Sequence, residues 1–106
     1  MGKDIKELIK ESHDTAVEKG WWDDPRTFLE CIALCHSELS EAVEYYRRDG
    51  VTPFKQQKDD LTVELADVLI RIFDMCGYYN LDLPSALEYK LEYNKSRPYR
   101  HGNKKA

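Results

Sequence analysis

Two pairs of acids in this sequence have the spacing of a metal site. Glu38 and Glu41 stand three positions apart, and so do Glu64 and Asp67. On a helix, residues three apart project one above the other on the same side. Four carboxylates brought together repel and raise one another's pKa. A hard divalent cation is the inexpensive way to hold them ionised, and an all-oxygen donor set suits Mg²⁺ or Mn²⁺. Mg²⁺ keeps several waters and takes further ligands from substrate phosphates. The surroundings of the acids separate them from an ordinary solvated helix face. Turning each residue by about 100° places Phe28, Ile32, Cys35, Leu39, Val43 and Tyr46 on one arc, the expected core stripe. Cys31, Leu34, Ala42 and Tyr45 form an adjoining apolar flank, with Glu38 inside it and Glu41 at its edge. A charged carboxylate among apolar neighbours is costly without a compensating charge.

The next helical stretch repeats the pattern. Leu61, Leu65, Val68, Ile72, Met75 and Tyr79 face one way, and Val63, Ala66, Ile70 and Phe73 nearly the other. A helix apolar on two sides is expected to be buried on two sides. Glu64, Asp67, Arg71 and Asp74 are squeezed into one arc roughly 80° wide. In the last helical stretch Lys90 and Asn94 fall in line with Leu83 and Leu87, and Arg97 follows the helix end. A cation and an amide turned inward beside four acids suit phosphate and sugar contacts. A di-iron centre would need Glu-x-x-His on two helices. The residues three before His13, His36 and His101 are Lys10, Ala33 and Pro98, so that site is excluded.

Four helices are expected to position these groups. Turn signals at Gly20–Pro25, Gly50–Pro53 and Asn80–Pro84 divide the chain, and no alternating strand pattern intervenes. The first helix runs from about Asp4 to Lys19 and ends on a left-handed Gly20. The second takes Asp24 as N-cap and Pro25 as its first helical residue, and continues to about Arg48. The third ends near Tyr79 and begins either at Pro53 or after Asp60, the later start being preferred. The fourth spans about Pro84 to Ser96, where Pro98 forbids continuation. Short connections imply antiparallel neighbours, hence an all-α, small four-helix bundle over residues 1–106 as a single domain. Apolar residues on both faces of the third helix imply that a partner copy completes the bundle.

Composition excludes several function classes. The chain has 106 residues, 42% hydrophobic and 34% charged, too apolar for a disordered tail. No run of about 18 apolar residues is present, so no membrane span is expected. No secretory leader opens the sequence, which points to the cytoplasm. Net charge is −4, and basic residues concentrate only between Lys95 and Lys105, too short a cluster for a duplex nucleic-acid surface. Cys31, Cys35 and Cys76 form no C-x-x-C pair and read as small buried hydrophobes.

At this point a family resemblance appears. His36-Ser37-Glu38-Leu39-Ser40-Glu41-Ala42, followed by Glu64-Leu65-Ala66-Asp67-Val68-Leu69-Ile70-Arg71, resembles the MazG-like branch of the all-α nucleoside triphosphate pyrophosphohydrolases. Lys90 and Asn94, the ending Asn94-Lys95-Ser96-Arg97-Pro98 with Arg100-His101-Gly102, and the segment Gly20-Trp21-Trp22 with Asp24-Pro25-Arg26 are similar too. The resemblance covers nearly the whole chain. One departure is Ser37, where the family often has an acid. The resemblance implies Mg²⁺-dependent hydrolysis of a nucleoside triphosphate to the monophosphate and pyrophosphate. Glu38, Glu41, Glu64 and Asp67 would hold the metal, with Glu41 or Glu38 doubling as general base. Lys90, Asn94 and Arg97 would hold phosphates or ribose, and Trp22, Trp21 or a Tyr would stack on the base. It also implies a homodimer or homotetramer. The competing reading is a non-catalytic helical oligomerisation or regulatory module that binds a cation or nucleotide without turnover.

Overall fold

Asp4 opens the first helix. Its side chain accepts the Glu7 amide at 2.8 Å, and Glu7 Oε1 accepts the Asp4 amide at 3.1 Å, a reciprocal capping box. The structure, a computed structural model, describes residues 2–99, and there the chain is all-α with four helices and no strand. These are α1 (Ile5–Glu18), α2 (Phe28–Asp49), α3 (Leu61–Tyr79) and α4 (Leu83–Ser96). Gly20 ends the first connection's entry with φ +83°, as its sequence position requires. The basic ending Arg100-His101-Gly102, with Lys104 and Lys105, lies outside the described residues. None of the described helices is long and apolar enough to cross a membrane.

The start of α2 corrects the expectation that Asp24 and Pro25 begin it. Thr27 is the N-cap, accepting the Glu30 amide at 3.1 Å while Glu30 Oε1 accepts the Thr27 amide at 2.9 Å. Asp24 has no Glu or Gln three residues on, so the reciprocal bond pair forms at Thr27 instead. Residues 24–26 stay in the connection, and Arg26 turns its guanidinium over Trp21, 4.8 Å from the ring centroid.

The connection from 50 to 60 is the longest, and a buried acid organises it. Asp60 is 1% exposed and occupies the N-cap position of α3, yet its side chain does not cap that helix. Oδ2 instead accepts the Lys55 and Gln57 amides at 2.8 and 2.9 Å, folding the loop across the left-handed Gln56. Tyr45 on α2 is hydrogen-bonded to Thr52 at 2.9 Å and ties the loop's other end to the bundle.

α3 is the central helix. It packs against α1 on one side and α2 on the other, while α4 rests only lightly on α1. The α1–α3 seam closes tightly at Gly77. A Cβ added there would lie 2.7 Å from His13 Cβ and 3.5 Å from Ile9 Cγ2. Alanine would gain roughly 1 kcal/mol of helix propensity but would force the two helices apart, at a cost of about 1–3 kcal/mol. Gly77→Ala should therefore be destabilised by about 1 kcal/mol, and by no more than about 2, in urea unfolding. Equal or greater stability would show that the seam opens freely.

The core is narrower than the helical wheels suggest. Among the described residues, the fully buried hydrophobics are Cys31, Cys35, Ala42, Phe73, Met75 and Cys76. The buried line on α2 thus takes Cys31 and Ala42 from the expected flank and only Cys35 from the expected core stripe. Phe28, Leu39, Val43 and Tyr46 of the expected core stripe remain 46–56% exposed. On α3 the buried positions cluster in the C-terminal half, and Leu65, Leu69 and Ile70 stay open to solvent. A single copy has too few helices to cover both stripes. Lys90 and Asn94 are likewise exposed rather than turned inward, because α4 rests only lightly on the bundle. The cysteines are buried and unpaired as expected, and burial pushes all three thiols up.

Candidate metal centre and ligand cleft

α1, the Trp21 connection, α2 and α3 enclose a cleft of 560 Å³. Its lining includes Leu8, Ser12 and Ala16 from α1, Glu38 and Glu41 from α2, and Asp67, Ile70, Arg71 and Asp74 from α3. The acidic arc read from the α3 wheel therefore faces a space that a small molecule can enter.

Three of the predicted metal ligands, Glu38, Glu41 and Asp67, line this cleft, and Glu64 joins Glu38 and Glu41 from outside its lining. Glu38, Glu41 and Glu64 each offer a carboxylate oxygen, and the three oxygens lie within 4.8 Å of one another. Asp67 stands outside that triplet but lines the same cleft, one turn beyond Glu64 on α3. Burial is graded across the group: Glu38 and Glu64 are half-buried and Glu41 is exposed. Glu64 Oε2 is buried without any hydrogen-bond partner. A buried polar atom left unsatisfied is costly and calls for an explanation. Burial first, and then the negative charges of Glu41, Asp67 and Glu38, push the Glu64 carboxyl above its ordinary value of 4.5. An orphaned carboxylate oxygen beside two further carboxylates fits a hard, oxygen-seeking divalent cation.

Arg71 is the counter-charge that the chain itself provides. Its Nε donates to Glu38 Oε1 at 3.5 Å, and its guanidinium carbon sits 4.2 Å from the Trp21 ring centroid. Sequence reasoning placed Arg71 in the acidic arc without giving it a role. The available signal was one base among three acids on a single helix face.

The two tryptophans divide their duties. Trp21 is 41% exposed and lines the cleft. Trp22, assigned to the substrate on sequence grounds, stacks on Tyr78 with centroids 3.8 Å apart and rings 4° from parallel. Its Nε1 donates to Asp74 Oδ1 at 2.9 Å, and His13 Nδ1 lies 2.8 Å from the same oxygen. Asp74 is 5% exposed, so one buried carboxylate ties α1, the connection and α3 together. The His13–Asp74 pair spans 61 positions, and no local pattern announces it.

Lys90, Asn94 and Arg97 do not line the cleft. Lys90 Nζ instead lies 4.8 Å from the Tyr93 ring centroid and Arg97 Cζ 5.7 Å from it, two cations gathered on one aromatic of α4. No family model, no curated protein and no solved structure matches the chain.

Proposed function

We propose that this chain is a MazG-like nucleoside triphosphate pyrophosphohydrolase, cleaving a nucleoside triphosphate to the monophosphate and pyrophosphate. The observation that carries this reading is the carboxylate triplet Glu38, Glu41 and Glu64, with the orphaned buried oxygen of Glu64, beside a cleft that Glu38 and Glu41 line and that is large enough for a nucleotide. Glu38, Glu41 and Glu64 would hold Mg²⁺ or Mn²⁺, with Asp67 beside them. Such an ion supplies Lewis-acid polarisation of phosphoryl oxygens and lowers the pKa of bound water. Phosphoryl transfer needs chiefly positioning and charge stabilisation, so few protein groups suffice. Glu41, the exposed member of the triplet, would take the proton of an attacking water, with Glu38 next to it. Trp21, in the cleft lining, would contact the base.

The same reading includes a homodimer or homotetramer. The accessible surface is 8486 Å², against roughly 6,200 Å² expected for a compact monomer of this mass. The radius of gyration is 16.2 Å, where about 13 Å is usual for this length. A second copy on the open α2 and α3 stripes would cover part of that excess. It would also give Lys90, Asn94 and Arg97 on α4 a site to reach, where they would hold phosphates or ribose. We place the protein in the cytoplasm, consistent with three unpaired buried cysteines.

Pyrophosphate release from a panel of nucleoside triphosphates, with and without Mg²⁺, tests the activity. The expected result is metal-dependent release from at least one of them. Binding of Mg²⁺ or nucleotide without turnover would instead identify a non-catalytic regulatory module. Sedimentation velocity tests the assembly, and a monomer at micromolar concentration would remove that part of the reading.

A further inference from the structure

A nucleoside triphosphate is strongly anionic, yet five residues lining the cleft are themselves acids. Among the described lining residues, Arg71 is the one with a fixed positive charge. It stands one turn beyond Asp67 on α3, with its side chain 22% exposed and directed toward the Glu38 side of the cleft. Two contacts hold it there. The Trp21 ring supports the guanidinium at 4.2 Å, and Glu38 accepts from Nε at 3.5 Å, the long end of a hydrogen bond. Neither contact uses the two terminal nitrogens, and Glu38 is the only ion-pair partner of Arg71 among the described residues. A planar fork backed by an aromatic ring, with both prongs uncommitted, is suited to bidentate recognition of a phosphate.

We infer that Arg71 is the cleft's own phosphate-binding residue, braced by Trp21 and weakly held by Glu38 until a nucleotide's phosphate oxygens take its two terminal nitrogens. This inference rests on the proposed nucleotide site and adds to it a specific residue on α3. It also explains why a basic residue lies within an otherwise acidic arc. A lysine there would supply charge but not the fork.

The test separates binding of the metal from binding of the nucleotide. Calorimetric titration of the full-length protein would use Mg²⁺ alone, and then α,β-methylene nucleoside triphosphates in saturating Mg²⁺. Arg71→Met should lower nucleotide affinity about ten- to a hundredfold, the loss expected for a charge-assisted bidentate contact. Mg²⁺ affinity should stay the same or rise, because Glu38 loses a competing cation. If Arg71→Met shows no helical circular dichroism, Arg71→Lys decides, with a smaller loss of nucleotide affinity and unchanged Mg²⁺ binding. Nucleotide affinity unchanged in the variant that folds would overturn the assignment of Arg71. Equal weakening for Mg²⁺ and nucleotide would also overturn it, making Arg71 only a prop for Glu38. Wild-type protein that binds Mg²⁺ but none of the analogues would remove the nucleotide reading itself, and Arg71 with it.

Discussion

Glu64→Gln is expected to melt higher than the wild type in metal-free buffer at neutral pH, and to lose the response to Mg²⁺. Both halves follow from the position of Glu64. Its Oε2 is buried without a partner, and the nearby acids are Glu41, Asp67 and Glu38. The carboxyl is pushed above 4.5, so in the acid range the folded chain holds this proton more tightly than the unfolded chain does. Stability then falls as pH rises from the unfolded value through the folded one, and the loss persists at neutrality. The neutral amide of Gln escapes that loss. Its advantage over the wild type should shrink toward zero below about pH 4, where Glu64 is protonated in both states. Amide nitrogen in place of carboxylate oxygen also removes a charged metal ligand. Wild-type protein should gain about 2.7 kcal/mol when Mg²⁺ reaches a hundred times its dissociation constant. NaCl at matched ionic strength should give much less, since screening is not coordination. Differential scanning calorimetry from about pH 3 to 8, with EDTA, MgCl₂ or NaCl, measures all of this. Equal shifts in Mg²⁺ and NaCl would remove the metal centre. Glu38→Ala and Asp67→Ala extend the test to turnover, which each should abolish while the helical signal survives. Normal turnover in Asp67→Ala alone would confine the site to the three glutamates.

Asp74→Ala should destabilise the fold by about 2–3 kcal/mol. One buried oxygen receives both His13 Nδ1 and Trp22 Nε1, and both donors would lose their acceptor together. The Trp22–Tyr78 stack and the Trp21 wall of the cleft hang from the same anchor. The substitution should therefore also change tryptophan fluorescence before any global unfolding. Asp74→Asn keeps an oxygen at that position and should retain most of the stability, which distinguishes loss of the acceptor from loss of the charge. Urea unfolding of both variants measures the difference. A cost below about 0.5 kcal/mol for alanine, the range of ordinary surface substitutions, would show that water replaces Asp74 as the acceptor.

The sequence by itself determined the helices and the acidic faces, because both are periodic and local. Asp4 and Gly20 bound α1, Asp60 precedes α3, and Glu64, Asp67, Arg71 and Asp74 share one arc, all legible from spacing along a single helix. Where two local signals competed, at Asp24-Pro25 and Thr27-x-x-Glu30, the reciprocal hydrogen bonds of the capping box prevailed. Only the tertiary structure decided which apolar residues of α2 are buried. A wheel shows two adjoining stripes but not where a neighbour lies, and the buried line Cys31–Cys35–Ala42 draws on both of them, on a helix that packs against α3. It also decided that α4 rests lightly on α1 and leaves Lys90 and Asn94 exposed. The joining of His13 to Asp74, the division of labour between Trp21 and Trp22, and the seating of Arg71 between Glu38 and Trp21 belong to the same class. Each depends on side chains brought together from distant parts of the chain, and helical periodicity carries no information about contacts between helices.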